Sequence, residues 1–152
     1  MAKTRKTDHY KKGDIIPAEW IHTDYLEYWL KDFFKSLGCQ RVLNVCCGDS
    51  KFGDIRLDNR VNTTRTMDGD LFKLLDSFPE NSIDGIYIDP DFKYYTSGEN
   101  RFLWQFDALK IARKVLVTKR PKVGVNLPSK WHSYVIAEDS RPALSLLRID
   151  YK

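Results

Sequence analysis

The sequence predicts a single α/β domain, with a mostly parallel sheet, a reduced set of helices and an antiparallel hairpin at the C-terminal edge. Three observations point there. Short β-rich runs at 41–46, 54–58 and 85–88 alternate with stretches of helical period. The first and last of these runs are nearly all apolar, the mark of strands buried on both faces. Two final runs, Tyr134 to Ala137 and Ala143 to Tyr151, flank the polar turn Glu138-Asp139-Ser140-Arg141-Pro142 and read as a hairpin.

The 152 residues suit one domain. With 42% hydrophobic and 30% charged residues the composition is that of a globular protein, and the net charge of +4 is compatible with nucleic acid. The three cysteines include the neighbours Cys46 and Cys47, with no Cys-x-x-Cys spacing and no paired histidines. That pattern excludes a disulfide framework and a structural zinc site, so reduced thiols, no metal and a cytoplasmic location are expected. No run approaches the roughly 18 apolar residues of a membrane span, and the N-terminus has no apolar signal core, so no membrane partner is expected.

Residues 1–12 carry Lys3, Arg5, Lys6, Lys11 and Lys12 and read as a flexible basic arm, with the folded domain at 13–152. A helix is predicted from about Glu19 to Leu37, because Trp20, Tyr25, Leu26, Trp29, Leu30, Phe33, Phe34 and Leu37 recur at helical spacing and Gly38 supplies the stop. Arg41 to Cys46 is a strand, and Cys47 to Gly53 a loop. Asp54 to Asp58 alternates and forms a second strand; Thr63 to Met67 is a short third, ending at Asp68-Gly69-Asp70. Leu71 to Phe78 is a short amphipathic helix. Gly85 to Ile88 is a strand that Pro90 ends, since proline cannot donate to the ladder. Lys93 to Arg101 reads as a polar loop, Phe102 to Leu116 as a helix broken off by Pro121, and Val123 to Leu127 as a further strand.

In a parallel sheet the ends of four of these strands share one edge, where open α/β sheets place their ligands. Those ends carry Asn44 to Asp49, Asp58, Asp68 to Asp70, and Asp89-Pro90-Asp91-Phe92. Asp89-Pro90-Asp91-Phe92 alone is a turn. In series with a glycine loop and two acids it belongs to a nucleoside-type pocket, with Gly48 for close backbone approach and Asp58 for a ribose.

In these residues the chain resembles the class I S-adenosylmethionine-dependent methyltransferases, from about Arg41 to Tyr151. Val42-Leu43-Asn44-Val45-Cys46-Cys47-Gly48-Asp49-Ser50 is similar to their first motif, usually Val-Leu-Asp-Leu-Gly-Cys-Gly-x-Gly. The resemblance implies a Rossmann-like domain that binds S-adenosylmethionine through Asn44, Cys46, Cys47, Gly48, Asp58, Asp70 and Leu71. Asp89-Pro90-Asp91-Phe92 resembles the Asp-Pro-Pro-Tyr/Phe motif of enzymes that methylate exocyclic amines of adenine or cytosine in nucleic acid. It implies Asp89, Pro90 and Phe92 as the catalytic set. Asp91, Lys93, Tyr94, Tyr95 and Arg101 complete a substrate cradle, and DNA or RNA is the expected partner. A chain this small leaves room for a homodimer or a partner chain.

The sequence departs from that pattern at Asn44, Cys46, Ser50 and Asp91. With only six residues between Cys47 and Asp54, it also lacks the roughly dozen residues of a parallel crossover. The first crossover helix is therefore expected to be a turn or absent, as is a full helix between Leu127 and Ser133. Methylation of a small molecule or protein on the same fold, and a methyltransferase-like fold that binds without catalysis, remain open at this point.

Overall fold

A computed structural model describes residues 20–91, 93–96, 101–122, 124–138 and 141–152. The basic arm and Phe92 lie outside them. The elements are, in order, β1 (Trp20–His22), a 3-10 turn (Thr23–Tyr25), α1 (Leu26–Ser36), β2 (Val42–Val45), β3 (Ile55–Asp58) and β4 (Met67–Asp68). A second 3-10 turn (Leu71–Lys73) runs into α2 (Leu74–Ser77), followed by β5 (Ile83–Ile88), α3 (Lys93–Thr96) and α4 (Leu103–Ile111). The strands β6 (Ala112–Arg120), β7 (Lys130–Glu138) and β8 (Arg141–Tyr151) finish the chain.

Among the described residues, eight strands form one sheet in the order β1-β7-β8-β6-β5-β2-β3-β4. Only β8 runs against its neighbours; the other pairings are parallel. All six residues of β5 are buried, as expected for a central parallel strand. Alternate residues feed two cores. Ile86 and Ile88 join α2 and α4 on one face, while Tyr87 joins α1 on the other. On α1, Leu26, Leu30 and Phe34 are buried at four-residue spacing and face the second core.

Five predicted elements are corrected. Trp20–His22 is a strand and not the first turn of the helix: it pairs with β7, and Ile21 and His22 are buried there, so sheet pairing overrides the helical period. The third strand is Met67–Asp68 rather than Thr63 to Met67. The stretch from Phe102 to Leu116 is two elements. At Ala112 the backbone turns extended (φ −66°, ψ 135°), and Val115 and Leu116 belong to β6 between β5 and β8. Lys93–Thr96 is one helical turn within the expected loop, and residues 124–127 are irregular, not a strand. The C-terminal hairpin stands as expected, with longer strands.

The missing crossover helix is confirmed. Parallel neighbours β2 and β3 are joined by residues 46–54 without a helix. The loop is fastened residue by residue: Asp54 N–H donates to the Val42 carbonyl at 2.9 Å, and Val42 N–H to the Asp54 carboxylate at 2.8 Å. Phe52 is 4% exposed and stacks on Phe34 at 5.8 Å, which packs the loop against α1. Among the described residues, the link from β6 to β7 likewise has no helix.

Candidate functional site

The strand order reverses between β2 and β5: β3 and β4 follow β2 to one side, β6 follows β5 to the other. Ligands bind in open α/β sheets beyond the carboxyl ends of the strands at such a switch point. Val45 pairs with Ile88, so the Cys46 and Asp89 loops leave the sheet side by side, and Asp89 N–H still donates to the Val45 carbonyl at 3.3 Å.

Cys46 occupies the left-handed region (φ 60°), which favours glycine, and its N–H donates to the Leu57 carbonyl at 2.8 Å. Burial, then the charges of Asp58 and Asp89, pushes its thiol up to about 12, so it is neutral at physiological pH. Gly48 (φ 53°) donates its N–H to Asp58 Oδ2 at 2.9 Å. The Asp58 side chain is 2% exposed and also receives a two-pronged contact from Arg60: Nε to Oδ1 at 3.1 Å and Nη2 to Oδ2 at 3.0 Å. Burial alone would raise this carboxyl; the hydrogen bonds from Arg60 and Gly48 outweigh it and bring it down to about 2. Arg60 itself is 64% exposed, beside an open depression of about 620 Å³ that Gly48, Asn59 and Thr63 also line.

On the other side of the switch point, Asp89 is 43% exposed, with Lys119 Nζ of β6 at 3.8 Å from its carboxylate. Burial of its surroundings raises the Asp89 carboxyl, Lys119 draws it back, and Asp91 adds to the rise. Pro90 is buried and Asp91 exposed. Tyr94 is half-buried, with its ring 5.0 Å from Phe72, and burial is the main cause that shifts its hydroxyl upward. Its backbone N–H donates to the Asp91 carbonyl at 3.0 Å, which holds it beside the Asp89 loop.

The structure thus brings Cys46, Gly48, Asp58, Asp89, Pro90, Asp91 and Tyr94 to one edge, with Asp70 beside them. It uses other predicted residues differently. Asn44 is 1% exposed, and its Nδ2 holds the loop by donating to the Phe52 carbonyl at 3.0 Å. Cys47 is buried under Thr64, and Leu71 is a core residue; only their backbones lie at the edge. Asp70 caps the turn that leads into α2, accepting from Phe72 N–H at 2.9 Å. Tyr95 is 8% exposed and donates to the Lys119 carbonyl at 2.7 Å. Lys93 is exposed near the Tyr94 ring, and Arg101 lies over Phe102 at 4.5 Å. Among the described residues, no cluster of metal-ligating side chains is present, and no helix is long and apolar enough to cross a membrane.

No protein-family model matches the chain, and no curated protein does. Solved structures resemble it. An S-adenosylmethionine-dependent methyltransferase from Archaeoglobus fulgidus aligns with a TM-score of 0.61 at 13% identity, over 85% of this chain and 94% of that one. The fold is shared. A putative methyltransferase, yhhF, from Escherichia coli aligns at 0.52 and 13% identity, over 86% of this chain and 85% of that one. The mixed sheet with its antiparallel C-terminal hairpin is thus a methyltransferase-type Rossmann-like arrangement with few helices.

Sequence reasoning missed Arg60 and Lys119. Arg60 stands two residues beyond Asp58 in a polar loop, where no periodic pattern marks it. Lys119 was hidden by the misplaced end of α4: once β6 is recognised beside β5, Lys119 falls next to the residue that follows Ile88.

Proposed function

We propose that the chain is an S-adenosylmethionine-dependent methyltransferase acting on an exocyclic amine of a nucleic-acid base, with adenine N6 favoured. The observation that carries this is the switch point, where a glycine loop, a fully buried strand-end carboxylate and an Asp-Pro step meet. The residues fit the cofactor: Asp58 offers two oxygens, each taken by a donor from the exposed Arg60 side chain. Two ribose hydroxyls can replace those donors one for one. Gly48 leaves space above the loop, where an added Cβ would meet only Arg60, at 3.7 Å.

When bound, S-adenosylmethionine supplies a methyl group on a sulfonium. This chain's residues position the acceptor. An aromatic amine is a poor nucleophile because its lone pair is delocalised into the ring. The Asp89 carboxylate accepts one of its hydrogens and the Pro90 carbonyl the other, which directs the lone pair out of the ring plane. The nitrogen's surplus proton after methyl transfer passes to Asp89, whose upward shift makes it a better acceptor than an ordinary carboxylate. Tyr94 offers a ring for stacking the base.

The Arg60 pairing also favours a second reading, a fold that binds without catalysis because its ribose acid is already occupied. Calorimetry with S-adenosylhomocysteine separates the two. The catalytic reading expects binding by the intact chain, a loss of about tenfold or more in Asp58→Ala, and severalfold tighter binding in Arg60→Ala. No binding at millimolar ligand would sink it. Methyl transfer to DNA, RNA and protein pools then identifies the substrate, and Asp89→Ala should lower the rate by about 100-fold or more without weakening S-adenosylhomocysteine.

A further inference from the structure

A second cavity, of about 420 Å³, opens beside the end of β6, between the start of α4 and residues Lys122, Gly124 and Val125. Its chemistry differs from that of the carboxylate-lined switch point. Arg101 and Lys122 line it, and among its described lining residues there is no carboxylate. A third cation lies beneath. Arg120 is fully buried, sits 4.9 Å from the Tyr95 ring, and donates to Gln105 Oε1. Tyr95 and Gln105 are both walls of the cavity.

The backbone is shaped around that guanidinium. Gly124 has φ 82°, and a Cβ there would fall 2.5 Å from Arg120 Nη1. A side chain at this position would force Arg120 away from the wall, so glycine keeps the positive charge close under the cavity. Helix α4 also starts here. Its N-cap residue is Phe102, whose side chain has no acceptor, so the positive end of a nine-residue helix meets the cavity without a side-chain cap. Phe102 is 42% exposed and offers a flat apolar face beside these cations.

The cavity is also tied to the proposed chemistry. The Tyr95 hydroxyl donates to the Lys119 carbonyl, and the Lys119 ammonium faces Asp89. Cavity and carboxylate therefore flank the same two residues at the same edge of the sheet.

We propose that this cavity binds the phosphate of a nucleotide whose base is presented to Asp89, with Lys122 and Arg101 as the contacting cations and Arg120 as a fixed charge below. The link to Asp89 rests on the amine-methylation reading; the phosphate site itself does not. Phosphate chemistry has two sources here, the backbone of a single strand or a free nucleotide, and the test separates them.

The full chain is titrated by fluorescence anisotropy with short labelled single-stranded DNA and RNA, and competed with adenosine 5′-monophosphate and with adenosine. Lys122→Glu is expected to weaken the oligonucleotide about tenfold, and Lys122→Ala to reduce the salt slope by about 0.7, the loss of one single-strand phosphate contact. Lys35→Glu, the same charge change on α1 across the sheet, should alter affinity less than about twofold. Displacement by the monophosphate but not by adenosine assigns a free nucleotide; displacement by neither assigns the polynucleotide backbone. The proposal is overturned if Lys122→Glu and Lys35→Glu weaken binding equally, since that is a net-charge effect, or if neither probe binds the wild-type chain. S-adenosylhomocysteine calorimetry on the same variants keeps the two ideas apart. Failure of the cofactor to bind, with the Lys122 dependence intact, removes the methyltransferase reading and leaves the phosphate site standing.

Discussion

Asp89 lies under opposing influences, and their balance sets the pH at which the proposed acceptor role is open to it. Burial of its surroundings raises the carboxyl, Lys119 at 3.8 Å lowers it, and Asp91 from its own loop raises it again. In the proposed role only the ionised form can accept from an amine, so the acid limb of methyl transfer should lie higher than an unperturbed aspartate would place it. Lys119→Met removes the lowering charge and should move that limb further up, so that activity falls more on the acid side of the profile than on its plateau. Asp91→Asn removes a raising charge and should move it down. Rate profiles of wild type and both variants check this, and coincident profiles would refute the assignment of the limb to Asp89. These neighbours show how far the site was legible in sequence. The strand-end acids were, because a strand followed by Asp-Pro or Asp-Gly is a local pattern. Side-chain direction was not. Asn44 and Tyr95 stand at motif positions but turn inward, where a loop carbonyl and a backbone oxygen on β6 receive them. Lys119 reaches Asp89 only through sheet pairing, which no local pattern records.

At the scale of elements, the helix-poor face of the sheet depends on close contact in place of added layers. Helix α1 approaches β5 closely at Gly85: a Cβ there would lie 2.5 Å from Phe34 Cδ1. Phe34 in turn stacks on Phe52, which covers the loop that stands in for the first crossover helix. Gly85→Ala should therefore cost about 1–3 kcal/mol through overpacking. At roughly 2–4 °C per kcal/mol for a chain of this size, that is a fall of about 2–12 °C in melting temperature. Gly85→Ala with Phe34→Leu should regain part of the loss; a double variant as unstable as the sum of the singles would show that the two residues do not share the space. The glycine's role was not legible, because it depends on which side chain of α1 arrives opposite. Nor was the boundary between α4 and β6. Apolar residues continue across Ile111 and Ala112 in a pattern that suits a helix, and only the neighbours β5 and β8 draw the second half into the sheet. The short runs of β2, β3 and β5 were legible because they are bounded by acids, glycine or proline within a few residues.

For the molecule as a whole, the C-terminal hairpin does more than close the sheet. Within it Arg148 and Asp150 are both fully buried, and Asp150 Oδ1 accepts from Arg148 Nε at 3.1 Å, Arg148 Nη2 at 2.9 Å and Ser129 Oγ at 2.6 Å. Arg148 also lies over the Trp131 ring at 4.5 Å and donates to the Val125 carbonyl, in the segment that forms one wall of the basic cavity. The pair thus joins the last strand to the segment that carries Gly124 and Val125. A buried pair adds little stability over well-packed apolar residues, but breaking it by removing one partner strands the other charge. Asp150→Ala should cost about 3–5 kcal/mol, read as a lower urea midpoint with an unchanged slope. Arg148→Met combined with Asp150→Leu should restore much of that stability, because no charge is then left buried. If the pair serves only the fold, the double variant will bind the labelled oligonucleotide like wild type. If it also holds the cavity wall, the double variant will be stable yet bind the oligonucleotide severalfold more weakly, with S-adenosylhomocysteine affinity unchanged. The second outcome is expected, since Val125 loses the donor that fixes its carbonyl while Asp58 and Asp89 are held by other partners, Gly48 and Arg60 for the one and Lys119 for the other.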